Sequence, residues 1–338
     1  MRYSVDLALS GFRLRHKRAH GLLARDFVSW LRVELLGTAA ATGVLAALVE
    51  PRTVDELADE LGVTDPALLD ALLRVGESVG ELAADGRGRW RLAGVRARAM
   101  VDPAVDGLAA LPEEAVVYGT DVYRRLGDRL AGAAPGDYLD AHGELVARTS
   151  RVAEPIFGPL VADVVRARGP LRVLEVGCGS GVNLRHVAGA SPLASGAGLD
   201  VDASVVALAR RNLSAWGVGD RFAVHEGDVR RPPSGLAGPW DLVLLMQNIY
   251  YFAGDDRIDV LARVRALAPD GAVLVATAVA GTGDPVAAHL DLVLRSTAGI
   301  TGLPTVDDLR TDLVAAGFGT VDERRLAPWQ PLRALVAS

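Results

Sequence analysis

The residues best suited to chemistry are gathered in one short stretch, VLEVGCGSGVNL, from Val173 to Leu184. Glycines stand at 177, 179 and 181, directly after an apolar run and before a helix start. Glycine is needed where the backbone turns sharply and a ligand must touch it, because a Cβ would block the approach. Glu175 lies two residues ahead of the first glycine. A carboxylate there is unfavourable beside a pyrophosphate and favourable beside a cationic amino-acid group. The dinucleotide pattern also asks for glycine at 182, where this chain has Val182. Two further acids end the next apolar runs: Asp200, followed by Val201, in GLDVD, and Asp228, followed by Val229, in HEGDV. A carboxylate at 200 can accept both hydroxyls of a ribose.

This combination of a glycine loop and two strand-end acids resembles the motifs of class I S-adenosylmethionine (SAM) methyltransferases. The resemblance implies SAM as cofactor. It puts Glu175, Gly177, Gly179 and Gly181 around the amino-acid end, Asp200 at the ribose, and Val201 among the cofactor-binding residues. Asp228 then takes the adenine amino group, with Val229 beside the ring. Gln247, just past the fourth apolar run, falls on the cofactor side as well. Over residues 20–338 the chain resembles small-molecule O-methyltransferases of the plant caffeate type and their bacterial relatives in natural-product tailoring. In that family the N-terminal helices exchange between subunits and roof the acceptor pocket, which implies a homodimer through the N-terminal domain. A helix from Tyr138 to Pro155 sits where family members contact the methionine end of SAM. Arg148 and Arg151 are three apart on it, and either can pair with the SAM carboxylate. Ion pairing with Glu144 or Glu154 is the competing reading.

Methyl transfer from a sulfonium is an in-line displacement that neutralises charge, so the protein contributes mainly by positioning in a dry pocket. The plant-type enzymes resembled here deprotonate a phenol with a histidine in an LHDW-like segment. This chain has MQNIYYF at the equivalent place, with Tyr251 at about the histidine's position. Tyrosine at neutral pH is a hydrogen-bond donor and a poor base. Tyr251 therefore suits an acceptor that is already nucleophilic, such as a carboxylate, which ionises near pH 4 unaided. His142 and His289 are the substitute bases if the acceptor is a hydroxyl, each also readable as structural. Arg295 can steer a carboxylate or lie on a solvated face. Cys178 reads as a small buried filler. The acceptor is expected to be a small-molecule or peptide-derived biosynthetic intermediate. C- or N-methylation, or another SAM-dependent tailoring reaction, is the alternative within enzymes.

These residues need a scaffold. From residue 169 onward the runs LRVLEV, GAGLDV, FAVHEG, WDLVLLM and AVLVATAV alternate with helical stretches, the signature of a parallel sheet covered by helices. TVDERRL and LRALVAS, joined through Ala327-Pro328, read as a final antiparallel strand pair. The fold class is thus α/β, a Rossmann-like methyltransferase sheet preceded by an α-helical winged-helix domain. The expected domains are 1–110, a helical winged-helix dimerisation domain, 111–168, a helical linker and pocket cover, and 169–338, the SAM-binding domain. In the N-terminal part, Leu35 to Val49 reads as one buried helix. Thr53 and Glu56 form a capping box, and Gly62 ends the helix they start. Asp65-Pro66 opens another helix with Leu68, Leu69, Leu72, Leu73 and Val79 as its apolar stripe. Asp85-Gly86 and Gly88 then mark a hairpin.

Composition narrows the function classes. The chain has 338 residues, 36 basic and 42 acidic, for a net charge of −6. That balance disfavours an electrostatic nucleic-acid binder. A winged helix nevertheless raises DNA binding by a ligand-sensing regulator. Between Thr53 and Ala99, however, nine acids face six arginines, and the would-be recognition helix carries Asp65, Asp70, Glu77 and Glu81 against Arg74 alone. Phosphate contact and base readout call for the opposite. The longest apolar run, Leu35 to Val49, falls short of the ~20 residues a membrane span needs. No secretion signal is read at the N-terminus, and one cysteine fits a reducing cytoplasm. The six histidines show no metal-ligand spacing, so no metal is expected.

Overall fold

The computed structural model describes residues 16–138, 140–169, 171–236, 238–326 and 331–338. The chain divides into two compact units, Met1–Val117 and Tyr118–Ser338. In the first, helix Lys17–Ala41 is followed by the short helix Val44–Ala47, with Gly43 between them at φ 80°. The run from Leu35 to Val49 is therefore two helices and not one. A left-handed residue stops a helix cheaply only when it is glycine, and Gly43 supplies it. Leu36, Ala39, Val44, Leu45 and Leu48 still enter this unit's core.

The start and stop signals that follow act as read. The Thr53 hydroxyl accepts from the Glu56 amide at 3.2 Å, the Glu56 carboxylate accepts from the Thr53 amide at 2.7 Å, and helix Val54–Leu61 ends at Gly62. Asp65 accepts from the Leu68 amide at 3.0 Å and caps helix Pro66–Ser78. Leu69, Leu73 and Gly76 form the buried side of that helix, while Leu68 is exposed. Residues 69, 73 and 76 fall at i, i+4 and i+7, so a leucine at 68 points a quarter turn away. The helix stops at Ser78, which puts Glu81 beyond it. Glu81 is buried between Arg32 at 3.3 Å and Arg96 at 3.0 Å, a structural carboxylate and not part of a helix face. Strands β1, Leu82–Ala84, and β2, Trp90–Leu92, close the antiparallel hairpin. Helix Asp106–Glu114 adds Ala109 to the same core and would be cut by a boundary at 110; the unit runs on to Val117. From Tyr118 on, the helices read as a separate linker belong to the same unit as the sheet.

That second unit is built on seven strands. They are β3, Arg172–Val176; β4, Ser195–Asp200; β5, Phe222–Glu226; β6, Leu242–Met246; β7, Ala272–Ala278; β8, Val321–Arg325; and β9, Leu332–Ala337. The order is β5-β4-β3-β6-β7-β9-β8, with β9 antiparallel to both of its neighbours. The last two strands are the expected pair, and their Ala327-Pro328 connection lies outside the described residues. Strands β6 and β7 are buried at every position, as strands with both faces covered by helices must be. The order reverses between β3 and β6. In a doubly wound sheet the crevice outside the C-terminal strand ends at that point is where ligands bind.

The stretch from Tyr138 to Pro155 is not one helix. It runs through a 3-10 turn at Asp140–His142, an α-helix at Gly143–Thr149 and a second 3-10 turn at Ser150–Ala153, before helix Glu154–Arg166 begins. Pro155 explains the restart, since it brings no N–H for a preceding turn and fits only a first turn.

Candidate active site

The glycine loop leaves β3 at the reversal point. Gly177, Gly179 and Gly181 take φ of 63°, 52° and 77°, backbone that other residues reach only under strain. A Cβ on Gly177 would fall 2.6 Å from Asn248 Nδ2, so glycine is also required there for space. Helix Val182–Ala190 starts directly after the loop.

Glu175 faces inward from the end of β3 and is fully buried. Its Oε1 accepts from Asn183 Nδ2 at 2.7 Å, and its Oε2 has no hydrogen-bond partner. Burial pushes its carboxyl up to about 8, with Asn183 and the backbone amide of Leu184 opposing the rise and the nearby Asp200 adding to it. The Ser180 hydroxyl and the Asn248 carbonyl oxygen are likewise buried without a partner. Buried polar atoms are nearly always satisfied, so three unsatisfied ones on and beside one loop mark a place built for a ligand. Cys178, between the glycines, is buried, and burial pushes its thiol well above the ordinary range. It packs under Gly198 of β4, where a Cβ would come 2.7 Å from its sulfur, and acts as the filler it was read to be.

Asp200 ends β4 beside this loop. Its Oδ2 accepts from the Gly179 amide at 3.0 Å and its Oδ1 from the Asp202 amide at 3.2 Å. Burial raises its carboxyl, and those backbone donors hold it back. Val201 next to it is 70% exposed, an apolar surface at the rim of the crevice. Asp228 follows β5. Both of its oxygens are engaged by Arg230, the closest approach being 2.7 Å, and that bonding holds its carboxyl below the usual range. Val229 is buried beneath it. From the end of β6, Gln247 takes φ 54°, and its side-chain oxygen accepts from the Ala278 amide of β7 at 2.8 Å. Gln247 thus fixes the β6–β7 rim.

The remaining residues singled out in the sequence are dispersed. Arg148 sits in the helix Gly143–Thr149, whose Gly143 would touch Asp202 with a Cβ at 2.1 Å, so that helix lies against the rim of β4. Arg151 is in the following 3-10 turn, with its Nε 3.4 Å from Glu154. Glu154 also meets His186 at 3.1 Å, which lowers its carboxyl. Tyr251 closes a 3-10 turn after β6, its ring edge-on to the buried Tyr250. His142 stacks on Tyr118 at 5.5 Å. His289, on helix Pro285–Arg295, stacks on Tyr123 and shares a 2.9 Å hydrogen bond between its Nδ1 and the tyrosine hydroxyl. Arg295 pairs with Asp291 at 2.8 Å on an exposed helix face. Two contributors went unlisted in the sequence reading, Asn183 and Asn248. Asn248 follows directly on Gln247 in MQN, but nothing in its spacing reveals that it reaches back to β3.

Comparison with known proteins bears on the domain and the fold. Residues 173–271 match the methyltransferase domain family. A stretch of 58 residues is 40% identical to a methyltransferase of Aspergillus campestris, spanning 17% of this chain and 17% of that relative's length. Among solved structures, the mitomycin 7-O-methyltransferase superposes with a TM-score of 0.74 at 21% identity, covering 95% of this chain and 98% of that one. An O-methyltransferase family protein from Burkholderia thailandensis gives 0.72 at 21%, covering 94% and 96%. Human N-acetylserotonin methyltransferase in complex with SAM gives 0.73 at 16%, covering 94% and 97%. These likenesses show that the chain has the fold of the class I methyltransferases along nearly its whole length.

Proposed function

We propose that this chain, which carries a methyltransferase domain at residues 173–271, is a SAM-dependent methyltransferase acting on oxygen of a small biosynthetic intermediate. The observation that carries the reading is the free, fully buried Oε2 of Glu175 beside a three-glycine loop at the switch point of the sheet. A buried carboxylate with an open oxygen needs a cation, and the SAM amino group is one. The residues fit the cofactor elsewhere too. Asp200 would receive the ribose hydroxyls, Val201 offers an apolar face to the adenine, Val229 backs it, and Asp228 would take the amino group once Arg230 yields. The segment carrying Arg148 and Arg151 reaches the loop at Ala147, whose Cβ is 3.8 Å from where a Cβ on Gly179 would sit, and either arginine would offer its fork to the carboxylate. When bound, SAM supplies an electrophilic methyl on a sulfonium.

The protein's part is to hold the acceptor in line with that methyl and keep water out. Tyr251, at the mouth beyond β6, orients the acceptor through its hydroxyl. A tyrosine in place of a histidine favours an acceptor already ionised, and a carboxylate meets that condition. The exposed apolar residues Leu22, Leu23, Phe27, Val28, Trp30 and Val33 on helix Lys17–Ala41 favour a homodimer through the N-terminal, winged-helix-like unit. Among the described residues no helix is long and apolar enough to cross a membrane. The test of the acceptor is the product formed from methyl-labelled SAM and candidate intermediates. Label released by mild alkali marks an ester and supports the carboxylate. An alkali-stable methyl contradicts it and brings ether O-, N- or C-methylation forward.

A further inference from the structure

The switch point of the sheet is bridged by one side chain that neither the glycine pattern nor the strand-end acids account for. Asn248 is 6% exposed and follows β6 by two residues. Its Nδ2 donates to the main-chain oxygen of Val176, the last residue of β3. Parallel pairing of β3 with β6 ends at Val176 and Leu245, so no further β6 pairing continues beyond that carbonyl, and the Asn248 side chain bonds it there. The next residue is Gly177, whose missing Cβ would sit 2.6 Å from the same Nδ2 and 3.3 Å from Asn248 Cγ. The carboxamide therefore packs against the first turn of the glycine loop and ties the end of β3 to the residue that follows β6. Its carbonyl oxygen is buried without a partner, as is Glu175 Oε2 on the other side of Val176. A leucine of the same shape would fill the space but leave the Val176 carbonyl without its donor, so the amide is there for the carbonyl it holds and not for packing.

We infer that Asn248 is a positioning residue of the cofactor site, holding the Val176 carbonyl so that Gly177 turns the loop toward the ligand's amino-acid end. The inference rests on the SAM reading of that loop. It requires the 177 and 248 positions to be coupled, because one fits against the other.

The test uses the full chain and S-adenosylhomocysteine, followed by titration calorimetry, with thermal melting of the ligand-free protein as a control. Asn248→Leu keeps the volume and removes donor and acceptor, and Asn248→Ala removes the bulk as well. Both are expected to weaken S-adenosylhomocysteine at least 10-fold at a temperature well below each variant's melting transition, with Asn248→Leu, which keeps the volume, lowering the melting temperature less than Asn248→Ala. Gly177→Ala should also weaken binding, and the Gly177→Ala/Asn248→Ala double variant should bind more tightly than the product of the two single losses predicts. Wild-type affinity in Asn248→Leu, or strictly multiplicative losses across the cycle, overturns the inference and leaves the cofactor reading standing. No binding by the wild type defeats the cofactor reading itself.

Discussion

Replacing Glu175 with glutamine exposes the conflict built into the site. The carboxyl is held up to about 8 by burial, against an ordinary value of 4.5. The folded ligand-free protein therefore prefers the neutral acid, while the unfolded chain ionises freely above 4.5. With the folded value raised, the stability this group contributes is complete below 4.5 and is lost as pH rises through about 8. The loss approaches about 1.4 kcal/mol for each pH unit inside that window and sums to about 5 kcal/mol across it. Glutamine keeps an oxygen for Asn183 and has no proton to lose. Urea unfolding from pH 5 to 9 should thus show the Glu175→Gln protein gaining on wild type as pH rises, up to several kcal/mol at pH 8.5. Ligand binding should move the opposite way. Loss of a charge-assisted hydrogen bond, about 1.5–3 kcal/mol, weakens S-adenosylhomocysteine by roughly 10- to 150-fold at pH 8. Parallel stability–pH curves for the two proteins, or unchanged affinity in the variant, would refute the reasoning.

Asp200→Ala should weaken S-adenosylhomocysteine by roughly 10-fold or more through lost bonds to the ribose, with 2′-deoxy ligand, which lacks one of those hydroxyls, showing a smaller loss by calorimetry. Phe27→Glu with Trp30→Glu should convert a dimer to a monomer in light scattering, since charge on the exposed stripe of helix Lys17–Ala41 opposes its burial; an unchanged mass moves the interface elsewhere. With a carboxylate acceptor, methyl transfer at saturating substrates should be nearly flat from pH 6 to 9, and Tyr251→Phe should cost about 10-fold. A rate that climbs with pH and collapses in His142→Ala or His289→Ala would point to a hydroxyl acceptor instead.

The local backbone of the glycine loop and the positions of the two acids were legible because their constraints are local: Gly177, Gly179 and Gly181 take left-handed backbone, Asp200 ends β4 and Asp228 follows β5 by two residues, so spacing along the chain fixes where they fall. The capping residues Thr53 and Asp65 were legible for the same reason. What escaped were contacts between residues far apart in the chain. Asn248 reaches a carbonyl 72 residues earlier, and Glu81 is buried by Arg32 from a distant helix. The break at Gly43 was hidden inside a uniformly apolar run, where periodicity cannot tell one helix from two. The pairing of Asp228 with Arg230 was also not foreseen, because a side chain two residues away can fold back on a turn without any pattern to announce it.

The central claim is that the loop at residues 177–181 binds SAM and not a dinucleotide. Calorimetric titration of the full chain with S-adenosylhomocysteine, run beside an identical titration with NADH, tests it directly. One S-adenosylhomocysteine bound per chain is expected, with no saturable heat from NADH. Saturation by NADH, or no binding of S-adenosylhomocysteine, would contradict it.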